Sequence, residues 1–536
     1  MRPRTRRVAW GAVAVALILS AEAAGQDRAG TFVLRSGPDT IALERFRWEG
    51  QTLHSESVIR MAQARIGFEM LVTNRGVDRL TNRAWSLADS AGAVPRQEAR
   101  FTFPGDSAIV EIINAGRPPV IQRLATRGGA IPYVNPSTAV LEVVIARAAA
   151  SAETPTKIPV FATAGGQTFD AVVTRVGTDS VVVSFPSGDM RLAVDGQGRV
   201  TGGRIPAQNL VIERIGRMDA SAFASEKPDY SAPAGAPYLA IDVSVLTPMG
   251  HRLAGTLTVP KSASPANRVP AVVTITGSGS QDRDEYLPIV KGFRPFRQIA
   301  DSLGRRGIAV LRMDDRGNGG SGGDPVTSTS ADFADDIRAG LAFLRTRSEI
   351  DGARLGLVGH SEGGLIAPMV AATDADLKGI ALLAGPSRPG RGILEFQLRN
   401  NFRNDTSQSV AARDSMIAKV PAIVDSMAKA SPWMRFFFTH DPSAVARTVK
   451  TPVLILQGAT DLQVTADQAA ELEAAFRAGG NRDVTTRVFP EMNHLFIHDP
   501  VGVPSGYTKL KGNAIESAVL GALVDWFVKR LGRPTT

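Results

Sequence analysis

The run Gly359-His360-Ser361-Glu362-Gly363 follows directly on the apolar stretch Leu355-Gly356-Leu357-Val358, and this junction constrains the fold more than any other part of the chain. A strand that ends there and enters a helix within two residues needs glycine on both sides of the serine, because side chains would collide across so sharp a turn. Ser361 is thereby pushed outward. The N–H of Glu362 heads the following helix, where it has no intrahelical acceptor and can receive a developing oxyanion. In a chain with 52 glycines the bare pattern carries little weight; its place behind a strand carries more. The competing role for Ser361, an ordinary helix N-cap, requires neither the flanking glycines nor the strand.

A serine is a poor nucleophile without a base, and the base needs a carboxylate to fix its tautomer. Pro452-Val453-Leu454-Ile455-Leu456-Gln457 reads as a buried strand and runs into Gly458-Ala459-Thr460-Asp461, which puts Asp461 on a loop at the strand's carboxyl end. Val484-Thr485-Thr486-Arg487-Val488-Phe489 runs into Pro490-Glu491-Met492-Asn493-His494, which puts His494 on the next such loop. The chain has six histidines, so one at this place is informative. Asp461 has a turn-forming role as its alternative, with Asp467 close by. His498 shares helical spacing with His494, but the H-E-x-x-H metal pattern is absent. His360, beside the nucleophile, is expected to orient or pack, since the turn points it away from Ser361. Arg316 is expected to be structural.

The order Ser361, Asp461, His494 resembles that of the α/β-hydrolases, and the resemblance covers the chain from about residue 240 onward. Nearest are the bacterial esterases and the prolyl-oligopeptidase-like or serine-aminopeptidase-like branch. Thr247-Pro248-Met249-Gly250-His251-Arg252 through Leu257 looks like the family's opening hairpin, and Asp314-Asp315-Arg316-Gly317-Asn318-Gly319-Gly320-Ser321 like its D-x-R-G-x-G-x-S loop. The resemblance implies a second oxyanion donor after the first core strand. By analogy with the H-G-G-G loop this is the backbone N–H of Ser278 in Gly277-Ser278-Gly279, although Thr276 stands where many relatives carry His. The cluster Asp282-Arg283-Asp284-Glu285 is expected to brace this loop through ion pairs rather than to orient substrate.

Independently of the motif, apolar β-branched runs at 271–276, 308–313, 354–358, 379–384, 453–457 and 484–489 alternate with helical patterns. Such alternation predicts a mostly parallel sheet covered by helices on both faces. The final segment, Ala514 to Leu531, predicts a packing helix. Residues 385–450 are too long for a simple crossover and predict a helical cap, with Met416, Ile417, Val420, Ile423, Val424 and Met427 on one face. Within it Trp433, Phe436 and Phe437 line an acyl pocket or pack the cap on the body; the sequence leaves both open.

Residues 26–220 are a different kind of chain, with short alternating stretches such as Ala108-Ile109-Val110-Glu111-Ile112 and Val181-Val182-Val183-Ser184-Phe185. They predict an antiparallel β-rich domain with a weak internal repeat, marked by turns at Gly37-Pro38-Asp39, Gly105-Asp106-Ser107 and Gly177-Thr178-Asp179. The Ala/Ser/Pro-rich segment 221–238 reads as a linker, and 239–536 as the α/β-hydrolase domain. At the start, Arg2, Arg4, Arg6 and Arg7 precede an apolar run to Leu19 and then Ala21-Glu22-Ala23-Ala24, the pattern of a secretory signal over residues 1–24. That run is too short to span a bilayer stably.

Cysteine is absent, which removes disulfides and thiolate metal sites. The formal charge of +9 shrinks once the leader's arginines are discounted, and no basic run is interleaved with aromatics, so nucleic acid is not an expected partner. The expectation is an exported periplasmic or secreted serine hydrolase, without cofactor or metal, acting on a small-molecule ester. A serine peptidase or amidase acting on short peptides is the first alternative. An envelope-binding protein with an accessory hydrolase domain is the second.

Overall fold

The computed structural model describes residues 29–532 apart from 37–38, 61–63, 75, 88, 90–91, 115–117, 152, 187, 209, 217–227, 326, 406–408 and 428–430. The predicted signal, residues 1–24, and much of the predicted linker lie outside the described residues. The chain forms two compact units, one ending at Lys227 and the other starting at Pro228. Residues 228–237, the second half of the expected linker, belong to the latter: Tyr230 Oη donates to Asp282 at 3.1 Å and the Arg283 guanidinium lies 4.3 Å from the Tyr230 ring centre.

In the first unit fifteen strands, from β1 (Ala29–Ser36) to β15 (Leu210–Ile215), form one sheet. Neighbours along it are antiparallel except for the short β9 (Ile131–Tyr133), which pairs in parallel with β10 (Thr156–Ala162). The three turn signals each precede a strand: β2 (Asp39–Glu49), β7 (Ser107–Asn114) and β12 (Ser180–Phe185). The sheet packs on a helix the sequence does not announce, α1 (Thr138–Ala149), eight of whose twelve residues are buried. Its N-terminal amides are held by the buried Glu44 carboxylate, which accepts from Thr138 N at 2.6 Å, Ala139 N at 3.1 Å and the Ser55 hydroxyl at 2.8 Å. A carboxylate at that helix end also opposes the macrodipole's positive pole.

The second unit is built on eight strands: β16 (Tyr238–Leu246), β17 (Arg252–Pro260), β18 (Val269–Ile275), β19 (Ala309–Met313), β20 (Ile350–His360), β21 (Gly379–Leu383), β22 (Val453–Gly458) and β23 (Val484–Phe489). Their order is β16-β17-β19-β18-β20-β21-β22-β23. The opening hairpin β16–β17 turns at Thr247–Gly250 and joins β19 antiparallel; every later pairing is parallel. Each of the six apolar runs is a strand. The inner ones need no polar face because helices cover both sides, whereas the edge strand β23 is half exposed and carries Thr485, Thr486 and Arg487. Val273, Leu357, Ile380 and Ile455 point into one core with α3 (Ser330–Thr346), α4 (Glu362–Ala371) and α9 (Asp467–Ala478). Val272, Val358, Ala381 and Leu454 point into the other, with α2 (Pro295–Gly304) and the closing helix α10 (Ser517–Leu531).

Among the described residues between β21 and β22 lie four helices, α5 (Gly390–Asn404), α6 (Val410–Met427), α7 (Pro432–Thr439) and α8 (Pro442–Ala446). The core of this insertion is small, with Val420, Val424 and Phe438 buried against Leu394, Leu398 and Met434. The face expected on α6 is narrower than its periodicity implies: Val420 and Val424 are buried and Met416 is exposed, because one partner helix covers only an i, i+4 stripe.

Candidate active site

The turn after β20 shows why its glycines are there. A Cβ at Gly359 would overlap the Gly363 carbonyl, and one at Gly363 would overlap the Ile275 carbonyl of the neighbouring strand. The backbone therefore passes closer than any other residue permits. Ser361 takes φ 53° and ψ −117°, a conformation unusual for a side-chain-bearing residue and maintained only when its surroundings enforce it. Here Ser361 N donates to Leu383 O at 2.8 Å on β21, and Ser361 O accepts from Gly364 N at 2.8 Å. Glu362 opens α4, so its amide is the first of the helix.

Asp461 and His494 meet at the ends of β22 and β23. His494 Nδ1 lies 2.8 Å from Asp461 Oδ2, with both side chains buried. The other contacts of Asp461 leave it no freedom: Oδ1 accepts from Gln463 N (2.8 Å) and Val464 N (3.0 Å), and Oδ2 also accepts from Gln457 Nε2 (3.0 Å). Its competitor Asp467 is exposed and paired with Arg388. His494 sits in a tight loop held by Asn493, whose Oδ1 accepts from Leu495 N and Ile497 N. His498 is exposed, 3.3 Å from Glu491. Among the described residues no cluster of His, Asp and Glu could hold a metal ion.

The loop after β18 runs past Ser361: a Cβ on Gly277 would stand 3.2 Å from that of the serine. The Gly277 amide is committed to Glu285 Oε1 at 2.8 Å, which leaves Ser278 N–H as the next amide of this loop. The Ser278 side chain works against burial by favouring the ionised form of Glu362. Thr276 donates to Asp315 Oδ1 at 2.6 Å, and Gln281 N donates to Asp315 Oδ2 at 2.9 Å. The 282–285 cluster does brace the loop: Arg283 bonds both oxygens of Asp314 (3.0 and 2.8 Å), and Asp284 pairs with Arg312 and Arg294. Arg316 is fully buried against Asp336 and Ser328. Glu285 departs from this bracing role, because it binds His360 of the elbow at 2.8 Å.

Of the three aromatic residues proposed for a pocket, Trp433 reaches the elbow. Its Nε1 donates to Glu362 Oε1 at 2.7 Å, and the same oxygen accepts from the Ser330 hydroxyl at 2.6 Å. Phe437 stacks on Trp433 at 5.2 Å and lies over Gly390, and Phe436 stacks on His440 at 5.0 Å. Phe437 also packs against the core of the body. Burial raises the pKa of Glu362 and pushes that of Asp315 well above the carboxylate range, with the Glu285 and Glu362 charges adding to the latter. The side chains of Glu362, Asp315, Gln457 and Glu285 escaped sequence reasoning: the partners of Glu362, Asp315 and Glu285 include groups 32 to 75 residues away, and Gln457, though only four residues from Asp461, sits inside an apolar strand with no motif to mark it.

Esterase EstD of Thermotoga maritima is 30% identical over 315 residues, which cover 57% of this chain and 70% of that protein. The chain belongs to the α/β-hydrolase family of serine hydrolases. Within this α/β-hydrolase, residues 293–501 match the family described as serine aminopeptidase, S33. A stretch of 206 residues is 25% identical to the uncharacterized peptidase YuxL of Bacillus subtilis, covering 36% of this chain and 27% of that protein. Among solved structures, the Pyrococcus furiosus esterase Pf2001 superposes with a TM-score of 0.39 at 16% identity, over 57% of this chain and 95% of that one.

Proposed function

We propose that this α/β-hydrolase is a carboxylesterase that works through an acyl-enzyme. Ser361 attacks the ester carbonyl, His494 takes its proton and passes it to the leaving alcohol, and Asp461 holds the Nδ1–H tautomer and balances the imidazolium. The amides of Glu362 and Ser278 receive the oxyanion. Water then releases the acyl group by the same proton relay, and no step calls on a cofactor. The observation that carries this reading is the buried 2.8 Å contact of His494 Nδ1 with Asp461, with the strained Ser361 elbow beside it. The name of EstD supports an ester substrate. The signal-like pattern of residues 1–24 supports export to the periplasm or beyond.

The S33 match and YuxL support the second reading, a peptidase or amidase acting on short peptides through the same groups. The test is to label the purified protein and Ser361→Ala with a fluorophosphonate and to assay short-chain p-nitrophenyl esters beside aminoacyl p-nitroanilides. The expected result is labelling and ester turnover that both vanish in the variant, with little anilide cleavage. Labelling that persisted in Ser361→Ala would overturn the assignment of the nucleophile, and preferential anilide cleavage would favour the peptidase.

A further inference from the structure

The mechanism leaves one buried ionisable group of the elbow unused. His360 precedes the nucleophile, is 6% exposed, and lies with its ring centre 4.9 Å from that of His494. Its Nδ1 is 2.8 Å from Glu285 Oε1 and its Nε2 is 3.0 Å from the backbone carbonyl of His494. A carbonyl can only accept, so Nε2 must carry a proton to bond it. Glu285 Oε1 already receives the Gly277 amide, and imidazole is a stronger base than a carboxylate by about two pKa units in water. Both bonds are satisfied together when the ring is doubly protonated.

We propose that His360 is a positioning residue held as an imidazolium, which ties the loop carrying the base to the elbow and to the Gly277 loop and sets an alkaline limit on turnover. This rests on the esterase reading above. A neutral ring has one N–H for two acceptors, so its deprotonation turns a nitrogen lone pair against either Glu285 or the His494 carbonyl. The second case loosens the residue that must stay aligned with Ser361, and an ångström of misplacement costs about 100-fold.

The charged and titratable groups facing the ring are Glu285 from the loop after β18, His494 from the loop after β23 and, beyond it, Asp461 after β22. Burial alone would favour the neutral ring; the Glu285 carboxylate overrides it and, with Asp461 adding, raises the His360 pKa above the ordinary value. The sign follows: the clamp is intact below the ordinary histidine range and is lost as pH rises through the raised value.

The test combines pH profiles of p-nitrophenyl acetate turnover with histidine-selective ¹⁵N NMR. In the wild type, the histidine signal that is missing from His360→Asn should show two equivalent protonated nitrogens at pH 6 and keep them to higher pH than a free imidazole. Glu285→Gln keeps the shape and removes the charge, so it should move the alkaline fall of kcat at least about one pH unit lower, with KM within about twofold. His360→Asn should lower kcat about 10- to 100-fold and abolish the alkaline limb. If that variant does not fold, the signal displaced in Glu285→Gln serves to assign His360. One protonated and one bare nitrogen at pH 6, or an alkaline limb that stays put in Glu285→Gln, would overturn the clamp. The NMR reading does not depend on turnover, so ester hydrolysis surviving in Ser361→Ala would sink the esterase mechanism while leaving this assignment to be judged on its own.

Discussion

Replacing Asp461 by Asn changes one atom and should stop turnover almost completely. The carboxylate accepts four hydrogen bonds, two at each oxygen: Gln463 N and Val464 N at Oδ1, His494 Nδ1 and Gln457 Nε2 at Oδ2. An amide accepts at one oxygen only. The two backbone donors cannot turn away, so the amide oxygen must stay with them and the NH₂ group faces His494. Nδ1 must then become the acceptor, which moves the ring proton to Nε2 and leaves no lone pair for the Ser361 hydroxyl. The equivalent exchange in a Ser-His-Asp hydrolase costs about 10⁴ in kcat, or about 5.5 kcal/mol at 1.36 per tenfold. Packing is preserved, so the urea midpoint should move little, whereas Asp461→Ala would strand two buried amides at about 1–3 kcal/mol each. The assay is p-nitrophenyl acetate turnover with the rate of fluorophosphonate labelling in parallel, both falling together. A loss below tenfold, with labelling unchanged, would refute the assignment of Asp461 as the group that orients the base.

Three further substitutions test the surroundings. Gly359→Ala would drive a Cβ into the backbone carbonyl of Gly363, which cannot rotate aside, so more than about 3 kcal/mol of stability should be lost in urea unfolding; a smaller loss would mean that the elbow is looser than described. Arg283→Met leaves Asp314, whose side chain is 1% exposed, without its bidentate partner, and should cost about 3–5 kcal/mol in the same measurement. Burial holds Asp315 well above its ordinary pKa, so the folded state keeps a proton that the unfolded chain releases near pH 4, and stability falls as pH rises from there toward the folded value. Asp315→Asn removes that dependence. Its melting temperature should gain on the wild type between pH 5 and pH 8, and a pH-independent difference would count against the raised pKa.

What could be read from the chain, and what could not, divides along a physical line. The five inner strands β18 to β22 are legible because a sheet covered on both faces makes each one a nearly continuous apolar run, and the half-exposed edge strand β23 is legible by its β-branched run instead. The positions of Ser361, Asp461 and His494 are legible because each ends such a run, and a parallel sheet gathers its strand ends along one edge. The helix α1 escapes for the opposite reason. Val140, Leu141, Val143, Val144 and Ile145 are all buried, so the helix is apolar nearly all round, shows no stripe at helical period and resembles a strand by composition. The cap face misled in the other direction, since periodicity on α6 says which residues can share a face and not how wide its covering will be. His360 with Glu285, 75 residues apart, and Trp433 with Glu362, 71 apart, join groups whose proximity the fold alone creates.

These long-range pairs meet an electrostatic requirement of the site. Glu285 and Glu362 are buried, and Asp315 half-buried, around the loop that runs past Ser361, where the proposed reaction develops an oxyanion. A carboxylate about 6 Å from that charge would oppose it by about 3 kcal/mol at an effective dielectric of about 20, so two ionised neighbours would slow the reaction roughly 10⁴-fold. The raised pKa values of Asp315 and Glu362 run in the direction that removes negative charge, and the proposed His360 imidazolium compensates Glu285. The donors on Glu362 from Ser330 and Trp433 disperse what charge it retains. Acidic side chains can therefore hold the loops together here without cancelling the field on which the oxyanion depends, provided that at least two of the three carry no net uncompensated charge at the working pH.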